Sequence, residues 1–410
     1  MTATAPHTAY LAEEFAQYLT PPTRPTPDEP WHSQSLASGA AGIALLHVER
    51  ARAGLGPWGP AHRWIRHAAS SEVNGADSSG LYLGAPAIAF LLHATPTDVH
   101  AIYQPAWTTL HHHVTALAHR RVANALARMA CGELPQFTEY DTFYGLTGIG
   151  AYLLRSDPDS CALESILTYL VALSHPLDNR GHRLPGWWVG HDPQRGHSPQ
   201  FPGGHANFGA AHGITGPLML LTQALRRGIS VAGQAEAIAT ICAHLDVWRQ
   251  EGEAGPWWPE HLTAADLEAG RIHAPGPARP SWCYGTPGIA RAGQLAGLAL
   301  ADPGLQRHYE DALYRCLTDP VQLSHVTDTS LCHGWAGICQ TAFRAAHDAR
   351  DHQLRFLLAP LGDALTAHAR TGAAKGSGYI EGDAGCALAL TTLATNQAPT
   401  TGWDACLLID

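Results

Sequence analysis

The sequence has little charge and no concentrated block of it. Only 15% of the 410 residues are charged, the formal net charge is -10, and no run is rich in Lys or Arg. A weak acidic charge of this kind argues against nucleic acid or an anionic membrane surface as a partner. The hydrophobic content of 45% is ordinary for a globular protein and indicates a chain that packs against itself rather than a disordered one.

Signals for export, membrane insertion and disulfide bonding are also missing. The N-terminal stretch MTATAPHTAYLAEEF lacks the basic segment and apolar core of a signal peptide. No segment approaches the roughly 20 uninterrupted apolar residues of a membrane helix. The nine cysteines are scattered along the chain, so they do not predict a disulfide scaffold. We therefore expect a cytoplasmic protein with mostly reduced cysteines and no insertion into a membrane.

A short motif returns along the whole chain. It has two glycines three residues apart followed by an apolar run, as in SGAAGIALL from Ser38 and YGTPGIARA from Tyr284. Seven copies are present, and their first glycines are Gly39, Gly84, Gly145, Gly213, Gly285, Gly334 and Gly382. The intervals of 45, 61, 68, 72, 49 and 48 residues are typical of a repeat architecture with insertions in its loops. In the second copy Ala87 replaces the second glycine.

Each motif predicts a tight turn that opens a buried helix, because glycine allows positive φ and close backbone approach and the following run is apolar almost all round. Amphipathic stretches between the motifs, such as LESILTYLVAL from Leu163, are typical of helices with one buried face. Seven such alternations predict an all-α fold, an (α/α) toroid of two concentric layers. We expect a single domain over residues 1–410, with room for a small insertion within 94–140. One GxxG copy could equally mark helix packing or a linker, but seven in succession favour the repeat.

Two copies of the motif begin with residues that bind metals. Cys283 lies two residues before Gly285, and Cys332 and His333 directly precede Gly334. In a toroid these turns would meet at one end, and thiolate together with imidazole suits zinc. Three ligands, rather than the four of a closed structural site, favour a catalytic metal with a position left for water or substrate. An adjacent Cys-His pair is by itself more often two unrelated core residues, so the prediction depends on the equivalent repeat positions.

Further candidates occupy related places in the repeat. His212 directly precedes its motif glycine, and Asp141 lies four residues before its own. A histidine with an unperturbed pKa of about 6.5 can exchange a proton near neutrality, and a nearby carboxylate can orient it. Arg279 and Tyr284, on either side of Cys283, could polarise or anchor a carbonyl, although surface charge and core packing are the more ordinary roles of such residues.

Five segments resemble motifs of the lanthionine synthetase C family, the cyclases of lanthipeptide biosynthesis. They are WCYGTPGI from Trp282, CHGWAGI from Cys332, AHGITGP from Ala211, YDTFYGLTGIG from Tyr140 and GWDACLLID from Gly402. The resemblance runs from the first motif to the last residue. Thr286 departs from the pattern, since one branch of the family usually has arginine there, and this change would alter contacts with the substrate.

The resemblance implies a role for each candidate residue. The implied Zn²⁺ ligands are Cys283, Cys332 and His333. The implied acid/base residues are His212 and its neighbouring carboxylate Asp141, while Arg279 and Tyr284 fall on positions that the family uses near the metal.

The reaction implied by the resemblance is the cyclisation of a peptide. A precursor peptide dehydrated by a separate dehydratase would add a cysteine thiolate to dehydroalanine or dehydrobutyrine and so close a thioether ring. Two alternatives stay open. One is a related enzyme that adds glutathione to dehydroamino acids, for which free glutathione would be the preferred nucleophile. The other is a non-catalytic zinc-containing protein that binds peptides through its long loops and holds the metal with a fourth protein ligand.

Overall fold

Helices dominate the protein in a computed structural model that describes residues 5–21, 31–179 and 181–410. They are α1 Ala5–Tyr18, α2 Ala40–Arg52, α3 Trp58–Ala68, α4 Ala85–His93, α5 Thr97–Ala130, α6 Phe137–Tyr140, α7 Leu146–Ser156, α8 Cys161–Leu173, α9 Thr215–Arg226, α10 Gln234–Trp248, α11 Ala264–Ala269, α12 Thr286–Ala299, α13 Pro303–Thr318, α14 Pro320–Leu323, α15 Trp335–Asp348, α16 Gln353–His368 and α17 Asp383–Thr395. Short strands pair antiparallel: β1 Leu177–Asn179 with β2 His182–Leu184, β3 His205–Asn207 with β6 His261–Thr263, and β4 Gln250–Gly252 with β5 Gly255–Trp257. Within these described ranges, none of the helices combines the length and the apolar character that crossing a membrane requires.

Each of the seven motifs opens a helix, as the sequence predicts. These motif helices are α2, α4, α7, α9, α12, α15 and α17, and six of them begin at the residue directly after the first glycine. They are buried almost all round, as in α4, where residues 85–92 are all buried. The helices between the motifs bury one face only; in α8 this face includes Leu163, Ile166 and Leu170. The two patterns of hydrophobicity therefore correspond to two kinds of helix.

The motif glycines are needed mainly for close approach. At Gly285 the backbone is extended, with φ -86° and ψ 172°, and a Cβ there would lie 2.3 Å from the backbone nitrogen of Ser281. A Cβ on Gly288 would lie 2.0 Å from the carbonyl oxygen of Trp282. Among the seven first glycines only Gly84, with φ 75°, has the positive φ that the sequence suggested. That part of the prediction is wrong for the other six, where steric crowding alone requires glycine.

Contacts between helices divide the chain into two compact units. The first contains residues 1–114, 326–406 and 410, and the second contains 115–325 and 407–409. In the first unit α15, α17, α2 and α4 pack in that order, with α16, α1 and α3 against α15, α17 and α2. In the second, α7, α9 and α12 pack in order, with α8, α10 and α13 against them. Within each unit the motif helices thus form one layer and the amphipathic helices another. That residues 1–410 form a single domain stays a prediction, and α5 occupies most of the stretch where we expected room for an insertion.

The residues after α17 return to the motif helices. In the first unit Arg344 of α15 donates to both carboxylate oxygens of Asp404, at 2.6 and 2.8 Å. In the second unit the indole N–H of Trp282 donates to the carbonyl oxygen of Leu407 at 2.9 Å. The second bond fixes the residue that precedes Cys283, so the segment GWDACLLID supports the turn that carries a predicted metal ligand.

Candidate active site

The candidate residues lie in the turns that open the motif helices. In four of these turns a side-chain oxygen four residues before the first glycine accepts backbone N–H groups. The oxygens belong to Ser35, Asp141, Ser281 and Ser330. Oγ of Ser281, for example, accepts from Tyr284 at 3.3 Å and from Gly285 at 2.8 Å. These bonds close the turn directly before each helix and fix the residues that it carries.

Asp141 caps its turn with one oxygen and holds His212 with the other. Oδ1 accepts the N–H groups of Tyr144 at 2.7 Å and Gly145 at 2.6 Å, while Oδ2 lies 2.6 Å from Nδ1 of His212. The Asp141 side chain is fully buried, whereas 25% of the His212 side chain is exposed. An ionised carboxylate only accepts hydrogen bonds, so Nδ1 carries the hydrogen and Nε2 is left to exchange a proton with a ligand. The structure brings these two residues together, and their catalytic role stays a prediction.

Aromatic rings surround His212. The centroids of Phe137 and Phe143 each lie 5.0 Å from that of His212. The ring of Tyr144 is stacked on the imidazole at 6.0 Å with an angle of 15°. Sequence reasoning did not single out these residues, although YDTFYG contains two of them. They restrict the imidazole to one orientation, which a proton-transfer group requires.

Cys283 of the second unit and Cys332 and His333 of the first are the predicted zinc ligands, and this role stays a prediction. In the described part of the chain they are the one group of three or more Cys, His, Asp or Glu side chains that could hold a metal ion. Cys283 is buried, and the other two are partly exposed. Thiolate and imidazole donors in this combination match the preference of zinc.

Other contacts hold the three residues in place. The carbonyl oxygen of Cys283 accepts N–H groups from Ala210 at 2.8 Å and Ala211 at 3.3 Å. These are the two residues before His212, so the loop that carries His212 is anchored on the turn that carries Cys283. Nε2 of His333 lies 3.4 Å from Oδ2 of Asp328. A carboxylate beside a ligating histidine commonly fixes the orientation of its ring.

Tyr284 lies beside His212. Its ring centroid is 6.5 Å from that of His212 and 5.6 Å from that of His261, and its hydroxyl oxygen lies 3.1 Å from Nδ2 of Asn207. Burial raises the pKa of the Tyr284 phenol well above its usual value. The phenol therefore keeps its proton at neutral pH and can act as a hydrogen-bond donor. Sequence reasoning found Tyr284 but missed Asn207 and His261.

Arg279 lines a cavity of about 620 Å³ together with Glu260 and His261. Partial burial raises the pKa of Glu260, the Cys283 thiol adds to the rise, and Arg279 opposes it. Arg279 is therefore close enough to this carboxylate to act on its charge. Its predicted contact with a substrate carbonyl stays a prediction.

His261, which contacts Tyr284, and its neighbour His205 are buried and uncharged at neutral pH. Burial lowers the pKa of His205 to about 4 and that of His261 to about 3. The Nε2 atoms of both rings have no hydrogen-bond partner among the described residues. The two ring centroids lie 4.9 Å apart. Because both rings are neutral, the side of Tyr284 that faces His261 carries no charge from them.

Comparisons with known proteins extend these observations. The family model described as "Lanthionine synthetase C-like protein" matches residues 30–408. The nisin biosynthesis protein NisC of Lactococcus lactis subsp. lactis is 26% identical over 280 residues, 66% of this chain and 65% of that protein. This match therefore spans just under two thirds of that relative's length. The solved structure of nisin cyclase superposes with a TM-score of 0.80 and 21% identity over 98% of this chain and 96% of that chain.

The structural likeness confirms the predicted fold class, an all-α double-layered (α/α) toroid. The family model covers all seven motifs and every candidate residue named above. By this match, the chain belongs to the lanthionine synthetase C-like family.

Proposed function

We propose that this chain is a zinc-dependent lanthipeptide cyclase that acts on a dehydrated precursor peptide. A cysteine thiolate of the peptide adds to a dehydroalanine or dehydrobutyrine of the same peptide and forms lanthionine or methyllanthionine. The observation that carries the proposal is the presence of a Cys/Cys/His group together with the Asp141–His212 pair in a member of this family. The relatives named for nisin biosynthesis and nisin cyclisation support a peptide as the substrate.

The donor set of Cys283, Cys332 and His333 fits zinc. Three protein donors leave one of the four positions that Zn²⁺ usually fills, as in catalytic rather than structural sites. Zinc bound by them would lower the pKa of the substrate thiol and favour the thiolate at neutral pH. Asp328 supports this assignment, because its carboxylate beside His333 can keep the imidazole in a ligating orientation.

His212 supplies the proton that completes the addition. When the thiolate attacks the β-carbon, the electron pair of the C=C bond moves to the α-carbon and, by resonance, to the adjacent amide oxygen. The imidazolium of His212 donates from Nε2 to the α-carbon, while Asp141 stabilises the charged ring through Nδ1. Arg279 and the hydroxyl of Tyr284 are the candidate donors to the amide oxygen, where negative charge develops.

A second enzyme has to act before this one. Dehydroalanine and dehydrobutyrine arise from Ser and Thr by loss of water, so we infer a separate dehydratase as a functional partner. We also place the reaction in the cytoplasm and assign it to residues 1–410 as one domain.

The test is to incubate the zinc-loaded protein with a dehydrated peptide that contains one cysteine. We expect free thiol to disappear while the peptide mass stays constant, because intramolecular addition neither adds nor removes atoms. Chelator-treated protein is the control and should leave the thiol intact. With glutathione present, a peptide that gains the mass of glutathione in preference to cyclising would instead support the glutathione-adding alternative. Peptide binding without either reaction would support the non-catalytic one.

A further inference from the structure

A short antiparallel strand pair holds Tyr284. Asn207 of β3 lies opposite His261 of β6 in the strand register, and both residues contact the tyrosine. Nδ2 of Asn207 is 3.1 Å from its hydroxyl oxygen, and the ring of His261 lies 5.6 Å from its ring. Gly209 approaches so closely that a Cβ there would lie 2.7 Å from Cδ1 of the tyrosine. These three residues leave the phenol ring little freedom to move.

The hydrogen bond between Asn207 and Tyr284 has a defined direction. Oδ1 of Asn207 lies 2.9 Å from the backbone nitrogen of Gly209, and a backbone N–H can only donate. The amide oxygen must therefore face Gly209, and the amide NH₂ must face Tyr284. The tyrosine oxygen consequently accepts from Asn207, which leaves its own hydrogen available for another acceptor.

No protein group in the described residues takes that hydrogen. The bond to Asn207 is the one hydrogen bond that the Tyr284 hydroxyl makes there, and the neighbouring His261 contacts the ring while its Nε2 stays without a partner. Tyr284 is also partly exposed. A ligand beside His212 can therefore receive the phenolic hydrogen.

Asn207 also belongs to the segment that leads to His212. Its carbonyl oxygen accepts the N–H of Ile214 at 3.0 Å, and its side chain bonds Gly209 in the same loop. One residue thus fixes the loop with its two oxygens and the tyrosine hydroxyl with its nitrogen. The two functions can be separated by a substitution that keeps the oxygens and removes the nitrogen donor.

We propose that Asn207 is a positioning residue that directs the O–H of Tyr284 toward the amide oxygen of the dehydro residue in the substrate. The inference rests on the proposed cyclase function, in which that oxygen gains negative charge. A donor that is already aimed at this oxygen costs no reorganisation during the reaction. The catalytic contact belongs to Tyr284, and Asn207 acts through it.

The test uses Asn207→Asp, which has nearly the same shape. One carboxylate oxygen still accepts from Gly209, while the other accepts the O–H of Tyr284 and withdraws it from the substrate. We expect kcat to fall on the order of 10²-fold, the scale for loss of one oxyanion donor, and to reach the level of Tyr284→Phe. Zinc content and KM should change little. In the Tyr284→Phe background, Asn207→Asp should cost less than about threefold, because residues that act through one another are not additive.

Asn74→Asp is the matched control. Oδ1 of Asn74 accepts the N–H of Ala76, two residues on, at 2.9 Å, which is the same turn that Asn207 makes with Gly209. No tyrosine contact accompanies it in the described structure, so this variant should keep the wild-type rate. If Asn207→Asp fails to fold, Asn207→Ser supplies the turn acceptor without any group for Tyr284 and should reduce kcat with normal zinc content.

Each result has a distinct meaning. An active wild-type protein with a fully active Asn207→Asp variant would overturn the inference alone. The inference would also be overturned if the losses of kcat multiplied when Asn207→Asp is combined with Tyr284→Phe, since Asn207 would then act independently of Tyr284. A zinc-loaded wild-type protein that consumes no peptide thiol overturns the proposed function, and the role of Asn207 in it falls with that result.

Discussion

The turns at residues 281–285 and 141–145 share one backbone design but carry different chemistry. In the first, the single Oγ of Ser281 accepts both N–H groups, at 3.3 and 2.8 Å. In the second, Oδ1 of Asp141 accepts the equivalent pair at 2.7 and 2.6 Å. The aspartate has one further oxygen, which reaches His212. A single additional oxygen atom therefore lets the residue that closes the turn also hold the imidazole of His212.

The two turns also differ in the role that we propose for each. The serine turn presents Cys283 to the Cys/Cys/His group, whereas the aspartate turn presents a carboxylate to an imidazole. Since the caps are alike, the chemistry depends on the side chains that each turn carries. Changes at Cys283 and Ser281 should then appear in zinc content, and changes at Asp141 should appear in the rate of the zinc-loaded protein.

Cys283→Ala should have the largest effect. It leaves two donors where zinc needs three from the protein, so we expect zinc to be lost on desalting and thiol consumption to fall to the uncatalysed rate. Metal analysis and the peptide assay measure the two losses. Cys242→Ala is the control, because Cys242 is buried outside the metal group, and it should keep its zinc. Full zinc content in the Cys283→Ala protein would contradict the ligand assignment.

His212→Ala should separate the two turns most clearly. It removes the proton donor without touching the Cys/Cys/His group, so zinc content should stay normal while kcat falls by about 10²–10⁴-fold. Rates are compared at equal zinc occupancy. His352→Ala, at an exposed position before α16, should keep the wild-type rate. Normal ring formation by the zinc-loaded His212→Ala protein would exclude His212 from the mechanism.

Asp141→Ser makes the aspartate turn resemble the serine turn. The Oγ can still accept from Tyr144 and Gly145, but His212 loses the partner that orients and stabilises its charged ring. We expect about a 10²-fold fall in kcat, the low end for an acid/base group, with zinc retained. Asp141→Asn should have a similar rate, because it keeps the capping oxygen and replaces the other with a donor. A wild-type rate in both variants would show that the second oxygen has no catalytic use.

Much of the fold could be predicted because its signal is local. Each motif helix is marked by its own glycines and apolar run, so the seven helices can be found without knowing how they pack. The use of glycine was harder to predict, because crowding and positive φ both select this residue. At Gly285 the cause is the backbone of Ser281, which is visible only once the turn has folded.

The same distinction applies to the candidate site, where residues in the repeated motif could be predicted from the sequence and residues outside it could not. Cys283, Cys332 and His333 could be grouped because they occupy related positions in two copies of the motif. Asn207 and His261 could not, because β3 and β6 are three residues long and 53 residues separate β3 from β6 along the chain, so neither strand shows a periodicity. The importance of Asn207 comes from which of its atoms faces Gly209 and which faces Tyr284, and no sequence pattern records that direction.

Ser281→Ala should have the smallest effect of these substitutions. It tests whether the hydrogen bonds that close the serine turn also hold Cys283 in place. It removes the acceptor of two backbone N–H groups, so we expect the free energy of unfolding of the zinc-free protein to fall by about 1 kcal/mol, the usual net contribution of an intramolecular hydrogen bond. Ser35→Ala removes the equivalent cap, which accepts the N–H of Ser38, from a turn that carries no metal ligand. Thermal midpoints of the two zinc-free variants should therefore be similar, whereas zinc affinity should weaken only in Ser281→Ala. Equal zinc affinity in both would mean that Ser281 stabilises the turn without holding Cys283 in place, and the parallel between the two turns would then end at their hydrogen bonds.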